Sequence, residues 1–428
     1  MADEETVKKE HIEAVVNEVK KDEHVRKETA ASVLGEIKEQ DEKEENKVEE
    51  NEVEEKKEEN KDEENNVEEK KEEEKNVEET KEEAKKDEEK NEDAKEPKKE
   101  EKLMKAVVYT SYGGGANALK HVEIPVPTPK KDEILIKTQA VSINPVDFKV
   151  QNGTFRPIYP KSFPCVPSSD VAGEVVEVGS EVKNFKAGDK VVAMLNTFVG
   201  GGMAEYVVAK ESLTVQRPPE MTAAEAAGIP VAGLAAYQAL TVHAGIKLDG
   251  STSQKNILVT AASGGVGLFA VQLAKLGNAH VTATCGQRNI ELLKSLGADE
   301  VIDYKTPEGA SLKSPSGKKY DVVIHCAPAI TWSTFSPNLT SHGKVIELTP
   351  GPKAYWAYAV KKVTFSKKQL VPMFVSAKGD NLSFLVNLMK QGKLKTVIDS
   401  RHPFSKTEDA WTKSAEGHAT GKVIVEFE

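Results

Sequence analysis

The chain has 428 residues and a formal net charge of −11, but the charge is unevenly divided: the first hundred residues hold 41 acids and 22 bases, a net −19, so the remainder carries +8. Its three cysteines, Cys165, Cys285 and Cys326, have no paired spacing, which excludes a disulfide framework and a cysteine-rich zinc site and points to a reducing compartment. No apolar run approaches the ~20 residues that cross a bilayer, the N-terminus lacks the apolar core of a secretory signal, and Met1-Ala2-Asp3-Glu4-Glu5 is too acidic for an ordinary transit peptide.

Residues 1–102 read as an acidic low-complexity extension. From Asp41 to Lys102 the chain is almost entirely Glu, Lys, Asn and Asp, with repeats beginning at Val53 and Val67. One valine per repeat is too little apolar surface for a coiled-coil seam, so the segment reads as a solvated, fluctuating helix or a disordered tail, with partner docking as the alternative. Ile12, Val15, Val16 and Val19, and then Val33, Leu34 and Ile37, recur at helical spacing and give two short amphipathic stripes. No catalytic role is expected here.

The 326 residues after Lys102 exceed the size at which one core stops growing, so two lobes are expected. In the first, over residues 103–228, the β-branched runs Lys105–Tyr109, Glu133–Lys137, Val171–Gly179 and Lys190–Ala193 are separated by Gly-Asp turns and predict a twisted antiparallel barrel. Asn144 precedes Pro145 and carries two readings, an amide that hydrogen-bonds a ligand or a turn residue.

The second lobe, over 229–370, opens its sheet with the apolar run Asn256–Thr260. This enters Ala261-Ala262-Ser263-Gly264-Gly265-Val266-Gly267 and then the helical stretch Leu268–Lys275. Strand, glycine turn and helix in that order make a dinucleotide site. The small residues let the backbone approach a diphosphate, and the helix directs unpaired amides at it, so Ala262, Gly264, Gly265, Val266 and Gly267 are assigned to the cofactor. Further apolar runs at His280–Thr284, Val301–Tyr304, Tyr320–Cys326 and Lys344–Leu348 complete the pattern of a Rossmann doubly wound parallel sheet. An acid about 20 residues after the turn would grip the ribose of NAD, but the segment reads Thr284-Cys285-Gly286-Gln287-Arg288-Asn289. With no carboxylate to repel a 2′-phosphate and a guanidinium to pair with it, NADPH is favoured, with Cys285, Gly286, Arg288 and Asn289 as contacts. An exposed surface arginine is the alternative for Arg288.

Taken in order, Asn144-Pro145-Val146-Asp147, Asp170-Val171-Ala172-Gly173-Glu174-Val175, Phe185–Val191, Gly202–Tyr206, Ala223–Pro230 and the glycine turn resemble the quinone oxidoreductase branch of the medium-chain dehydrogenase/reductase superfamily. Tyr112–Gly115, Ala283–Gly286 and Ser366–Pro372 narrow the resemblance to the plant chloroplast-envelope quinone oxidoreductase homologues. It covers everything after Leu103 and leaves the acidic extension outside the pattern.

The resemblance implies a GroES-like barrel for the first lobe, and a C-terminal segment, 371–428, that returns to it. It implies NADPH contacts at Lys149, Tyr304, Thr349, Thr420 and Lys422, and a place for Asn144 beside the nicotinamide. The activity implied is zinc-independent hydride transfer from NADPH to the β-carbon of an α,β-unsaturated carbonyl. A quinone reductase and a non-catalytic NADPH-binding stress protein are the alternatives. Zinc-containing relatives have Cys and His where Asn144 and Ser169 stand, so no metal is expected. Phe155 stands where the family often has Tyr, which leaves solvent as the expected proton source. Plastid-envelope localisation with peripheral membrane association is implied, the cytoplasm being the alternative, as is a homodimer; no nucleic-acid partner is expected.

Overall fold

The computed structural model describes residues 102–428 apart from 157–158, 328–329 and 364. The acidic extension with its valine repeats and both helical stripes lies outside the described residues, save Lys102.

The longest strand organises the first lobe. Strands β1 (Leu103–Val108) and β2 (Lys120–Pro125) form an antiparallel hairpin, and β3 (Glu133–Ile143) pairs with three partners: β4 (Asp170–Val178), β6 (Tyr206–Lys210) and, from the far end of the chain, β15 (Lys422–Glu426). Strands β5 (Lys190–Met194) and β7 (Thr214–Gln216) extend the sheet beyond β4, and β14 (Ile398–Pro403) closes the other side next to β15. Being covered on both faces, β3 is buried along nearly its whole length and reads as an apolar run rather than an alternating one.

Register decides what meets at the end of β3. Ile143 lies opposite Val423 and Ser142 opposite Asp170, so the chain leaves β3 at Asn144 with the first residues of β4 and β15 beside it. Pro145 then opens α1 (Pro145–Gln151), at the helix position where its missing N–H costs nothing. Helix α8 (Thr407–Ala415) packs Trp411, fully buried, edge-on against Phe148 of α1 at 5.8 Å between ring centroids.

Two helices, α2 (Ala223–Ala227) and α3 (Pro230–Gln238), lead into the second lobe. The latter is buried on nearly every side, as expected of a helix apolar all round. The second sheet is parallel throughout, in the order β10 (Glu300–Asp303), β9 (His280–Cys285), β8 (Asn256–Val259), β11 (Tyr320–His325), β12 (Leu339–Glu347) and β13 (Gln369–Pro372). Chain order thus reverses between β8 and β11, and in such sheets ligands lie beyond the carboxyl ends of the strands at that point. Helix α4 (Gly265–Leu276) follows β8 and buries Leu268, Phe269, Val271 and Leu273 against the sheet, contributing about 1.5–3 kcal/mol for each large side chain. Helices α5 (Ile290–Ser295), α6 (Pro352–Val363) and α7 (Gly379–Lys390) complete the lobe. None of the described helices is long and apolar enough to cross a membrane.

Candidate active site

The turn between β8 and α4 forms one wall of a crevice of about 860 Å3. Its tight bend is carried by an alanine: Ala261 takes φ 46°, a left-handed conformation costing a non-glycine residue roughly 1–2 kcal/mol. Two bonds hold it, from the Ala261 amide to the Thr284 hydroxyl (3.1 Å) and from the Ala262 amide to the Thr284 carbonyl (2.8 Å). Gly267 is needed for close approach instead, since a Cβ there would meet Ala262 Cα at 2.6 Å and the Ala261 carbonyl at 2.7 Å. The first intrahelical bond of α4 runs from Leu268 to Gly264, so the amides of Gly265, Val266 and Gly267 precede it at the positive end of the helix dipole. That is a place for a diphosphate.

Across the crevice lie Cys285, Gly286, Arg288 and Asn289 at the end of β9, and Tyr304 and Lys305 after β10. Tyr304 is 49% exposed, with the Lys305 ammonium 5.9 Å from its ring centre. The one carboxylate on this wall, Asp303, accepts the Lys305 amide at 3.0 Å. Burial, reinforced by Asp303, pushes the Cys285 thiol up to about 11, so it stays neutral. The C-terminal segment closes the crevice: the Arg288 guanidinium donates to the His418 carbonyl, the Thr420 hydroxyl donates to the Asn289 side chain at 3.2 Å, and the Gly421 amide donates to the Ser263 carbonyl at 3.0 Å.

Two predicted residues face inward. Asn144 is 2% exposed and Lys422 4%. The Lys422 ammonium donates to Asn144 Oδ1 at 2.5 Å, and Asn144 Nδ2 donates to Asp170 Oδ2 at 2.9 Å and, more weakly, to the Ser142 carbonyl at 3.4 Å. Asp170 also accepts the Val231 amide (3.0 Å) at the start of α3, while Asp147 accepts the Asn144 amide (2.7 Å). Both ends of the Asn144 amide are engaged within this network. Asn144 thus lies in the buried network at the start of α1. The Lys422 ammonium lies inside the network, and its stem lies against Gly265, where a Cβ would meet Lys422 Cδ at 2.9 Å. Burial pushes the Asp147 carboxyl up to about 7, raises Asp170 and lowers Lys422, the last two each opposing the other's shift by their charge.

A third group sits at the switch point. Thr260 follows β8, His325 ends β11 and Glu347 ends β12. The Thr260 hydroxyl lies 3.1 Å from His325 Nδ1, and His325 Nε2 lies 3.6 Å from Glu347 Oε2. From the other lobe Lys149 of α1 acts on Glu347 electrostatically, and Thr349 hydrogen-bonds the same carboxylate. At the outer edge Phe155 packs edge-on to Phe198 at 5.3 Å and approaches Phe374 at 6.4 Å, while Tyr159 stacks on Phe198 at 4.1 Å. Phe155 carries no hydroxyl, and its ring helps form an apolar cluster drawn from loops of both lobes.

The predicted residues therefore fall into three clusters: crevice, buried network, and switch-point group. Sequence reasoning missed Asp147, Asp170, Thr260, His325, Glu347 and Lys305. A trace of each strand-end residue was present, because His325 and Glu347 are polar residues closing apolar runs. Asp147, three residues after Asn144, fits the spacing of a capping box. No group of three or more His, Cys, Asp or Glu able to hold a metal ion occurs among the described residues, and Asn144 and Ser169 offer no thiolate or imidazole. A zinc ion does not fit this donor set.

Residues 130–219 match the alcohol dehydrogenase GroES-like domain family, and residues 296–425 the zinc-binding dehydrogenase family. The chain is 69% identical over 325 residues to a chloroplast envelope quinone oxidoreductase homolog of Arabidopsis thaliana, an alignment spanning 76% of this chain and 99% of that protein. It is 36% identical over 334 residues to an NADPH-dependent chloroplastic alkenal/one oxidoreductase of the same plant, covering 76% of this chain and 80% of the other. Among solved structures it resembles the quinone oxidoreductase from Coxiella burnetii, with 30% identity, a TM-score of 0.69, and coverage of 76% of this chain and all of that one.

Proposed function

The chain belongs to the medium-chain dehydrogenase/reductase superfamily, among the quinone oxidoreductase-like members, and from that premise we propose that it is an NADPH-dependent reductase of α,β-unsaturated carbonyls. It is an oxidoreductase acting on a small molecule with a nicotinamide cofactor. The observation that carries the finer reading is the crevice wall at the end of β9. No carboxylate follows Cys285, and Arg288 and Lys305 stand where a 2′-phosphate would need positive charge. The alkenal/one reductase relative supports the choice of electrophile.

When bound, NADPH supplies the hydride. The chain's own contributions are positional and electrostatic. The α4 amides hold the diphosphate, Arg288 and Lys305 the 2′-phosphate, and Lys149 the nicotinamide half. The aromatic cluster around Phe155 gives the apolar body of a lipid-derived enone a dry surface. Phe155 offers no proton, so the proton that the product's α-carbon needs would come from solvent. Asn144, Asp170 and Lys422 fix the ends of β3, β4 and β15 beneath the turn.

A quinone reductase is the second reading, favoured by the name of the 69% identical relative. Steady-state rates with NADPH against an oxylipin-type enone and a simple quinone separate the two, and turnover of the quinone alone overturns the first. Thermal protection by NADPH without oxidation by either acceptor points instead to a non-catalytic binding protein. Arg288→Ala is expected to raise the KM for NADPH by roughly tenfold, on the scale of one charge-assisted hydrogen bond, and to leave that for NADH unchanged. The plastid is the compartment carried by the names of three relatives 69%, 65% and 64% identical to this chain, and we assign it here. Peripheral attachment to the envelope and a homodimer belong to the same proposal.

A further inference from the structure

Five aromatic rings run in an unbroken row from one lobe to the other. Tyr159 stacks on Phe198 with 4.1 Å between ring centres, Phe198 meets Phe155 edge-on at 5.3 Å, Phe155 approaches Phe374 at 6.4 Å, and Phe374 lies nearly parallel to Tyr355 at 6.3 Å. Phe155 and Phe198 are half-buried, whereas Tyr159, Phe374 and Tyr355 are 49%, 55% and 42% exposed, so the row is open to solvent. A connected apolar surface of this kind marks a place where a ligand or partner settles.

The position of the row in the fold selects the ligand. Parallel pairing sets Pro372 of β13 beside Glu347 of β12, and the Met373 amide donates to the Glu347 carbonyl at 3.0 Å. Phe374 therefore stands just beyond the carboxyl edge of the sheet, the edge at which the glycine turn follows β8. In the other lobe Phe155 comes shortly after α1, where the Thr154 amide donates to the Lys149 carbonyl at 2.9 Å. The row thus crosses between the lobes at the end of the sheet where an acceptor would meet the cofactor.

Lys161 fastens one end of the row. Its ammonium donates to the carbonyls of Phe198 (2.5 Å) and Val199 (2.9 Å), and no carboxylate pairs with it among the described residues. Asn196 shapes the turn that carries those carbonyls: its side chain accepts the Phe198 amide at 2.9 Å, and its own carbonyl accepts the amides of Val199 (3.0 Å) and Gly200 (2.9 Å). The segment bearing Lys161 is held as well, since the Lys161 amide donates to the Tyr112 hydroxyl at 2.7 Å and the Tyr159 amide to the Phe155 carbonyl at 2.7 Å. The ammonium joins these two loops, and the stack of Tyr159 on Phe198 is formed between them.

We propose that the five rings are the site for the apolar tail of the acceptor, and that Lys161 is a positioning residue that holds Tyr159 and Phe198 in that site. The ligand class is a carbonyl compound with an unbranched hydrocarbon tail. A row of single rings covers such a tail methylene by methylene, and its open outer members set no upper length. This assignment rests on the reading above that the chain reduces a small acceptor.

The test is calorimetric binding of saturated ethyl ketones of increasing tail length to the NADPH-loaded full chain, in parallel with turnover of the matching vinyl ketones. The parent is compared with Phe374→Ala, Lys161→Met and Lys161→Arg, with Tm and an NADPH titration showing that each is folded. In the parent, affinity is expected to rise about twofold per methylene, below the roughly fourfold of full burial, and to level off rather than fall once the tail passes the outermost ring. Phe374→Ala and Lys161→Met each flatten that rise, so the loss grows with tail length. Lys161→Arg, which still donates to both carbonyls, restores it. Affinity independent of tail length in the parent overturns the tail site and leaves the rings to lipid or a second copy, and an unchanged rise in Phe374→Ala overturns it too. A Lys161→Met loss that is equal for short and long tails, or that arginine fails to restore, overturns the role of Lys161. Tail-dependent binding without turnover of any vinyl ketone overturns the reductase reading alone, whereas turnover without tail dependence overturns the tail site alone.

Discussion

Asp147 shows how much a single residue's depth decides. Its spacing from Asn144 marks a helix start, where a carboxylate is ordinarily ionised and exposed. Here it is 4% exposed, its carboxylate accepts the Asn144 amide, and burial lifts it to about 7.

 The sign follows from linkage. The folded state holds this proton from about pH 4 to pH 7 while the unfolded chain has released it, so stability from this group is greatest below pH 4 and is lost as pH rises toward 7. Asp147→Asn keeps an acceptor for the amide and removes the charge. Its Tm relative to the parent is expected to improve between pH 4 and pH 7 and then level off, as read by thermal melts at fixed ionic strength; a pH-independent difference would contradict the buried placement. The start of α1 was legible in the sequence at Asn144-Pro145. Its enclosure was not, because that depends on β4 and β15 arriving from 26 and 278 residues away.

At the scale of elements, the glycine turn was readable because each of its requirements is local: an apolar strand, small residues, then a helix. The division of labour inside it was not. Ala261 carries the left-handed bend, and Gly267 provides the close approach of α4 to the turn. Gly267→Ala places a methyl against backbone atoms that cannot swing aside, so a loss of at least about 1–3 kcal/mol is expected, measured as a lower Tm together with weakened NADPH binding. Helix α2 gives a milder case. Thr222 accepts the Glu225 amide at 3.2 Å, and Glu225 accepts the Thr222 amide at 2.9 Å, a reciprocal cap on a helix of five residues. Thr222→Ala is expected to cost about 1 kcal/mol in denaturant midpoint without altering the KM for NADPH. An altered KM would mean that α2 also sets the relation of the two lobes.

For the whole molecule, the main contrast is between the acidic first hundred residues and the basic remainder. The 69% identical relative is matched over 99% of its own length by 325 residues. Removing residues 1–100 is expected to leave kcat with NADPH unchanged while the net charge moves from −11 to +8. The shortened protein should then bind vesicles containing anionic lipid more tightly than the full chain, each base near the surface contributing ~1 kcal/mol, and salt should reverse the gain. Co-sedimentation at two ionic strengths checks this; equal binding by both forms would show that the extension does not oppose the membrane.

By itself the sequence determined the two-lobe α/β plan, the glycine turn, and a β9 end without the acid that selects NAD. All of these are written in residues close together along the chain, where periodicity and turn chemistry act. The tertiary structure alone decided that Asn144 and Lys422 face each other inside the protein, and that Thr260, His325 and Glu347 converge at the switch point. The reason is physical: burial and electrostatic pairing depend on which strands become neighbours. Strand order and register are set by the packing of the whole sheet, not by any one segment of it.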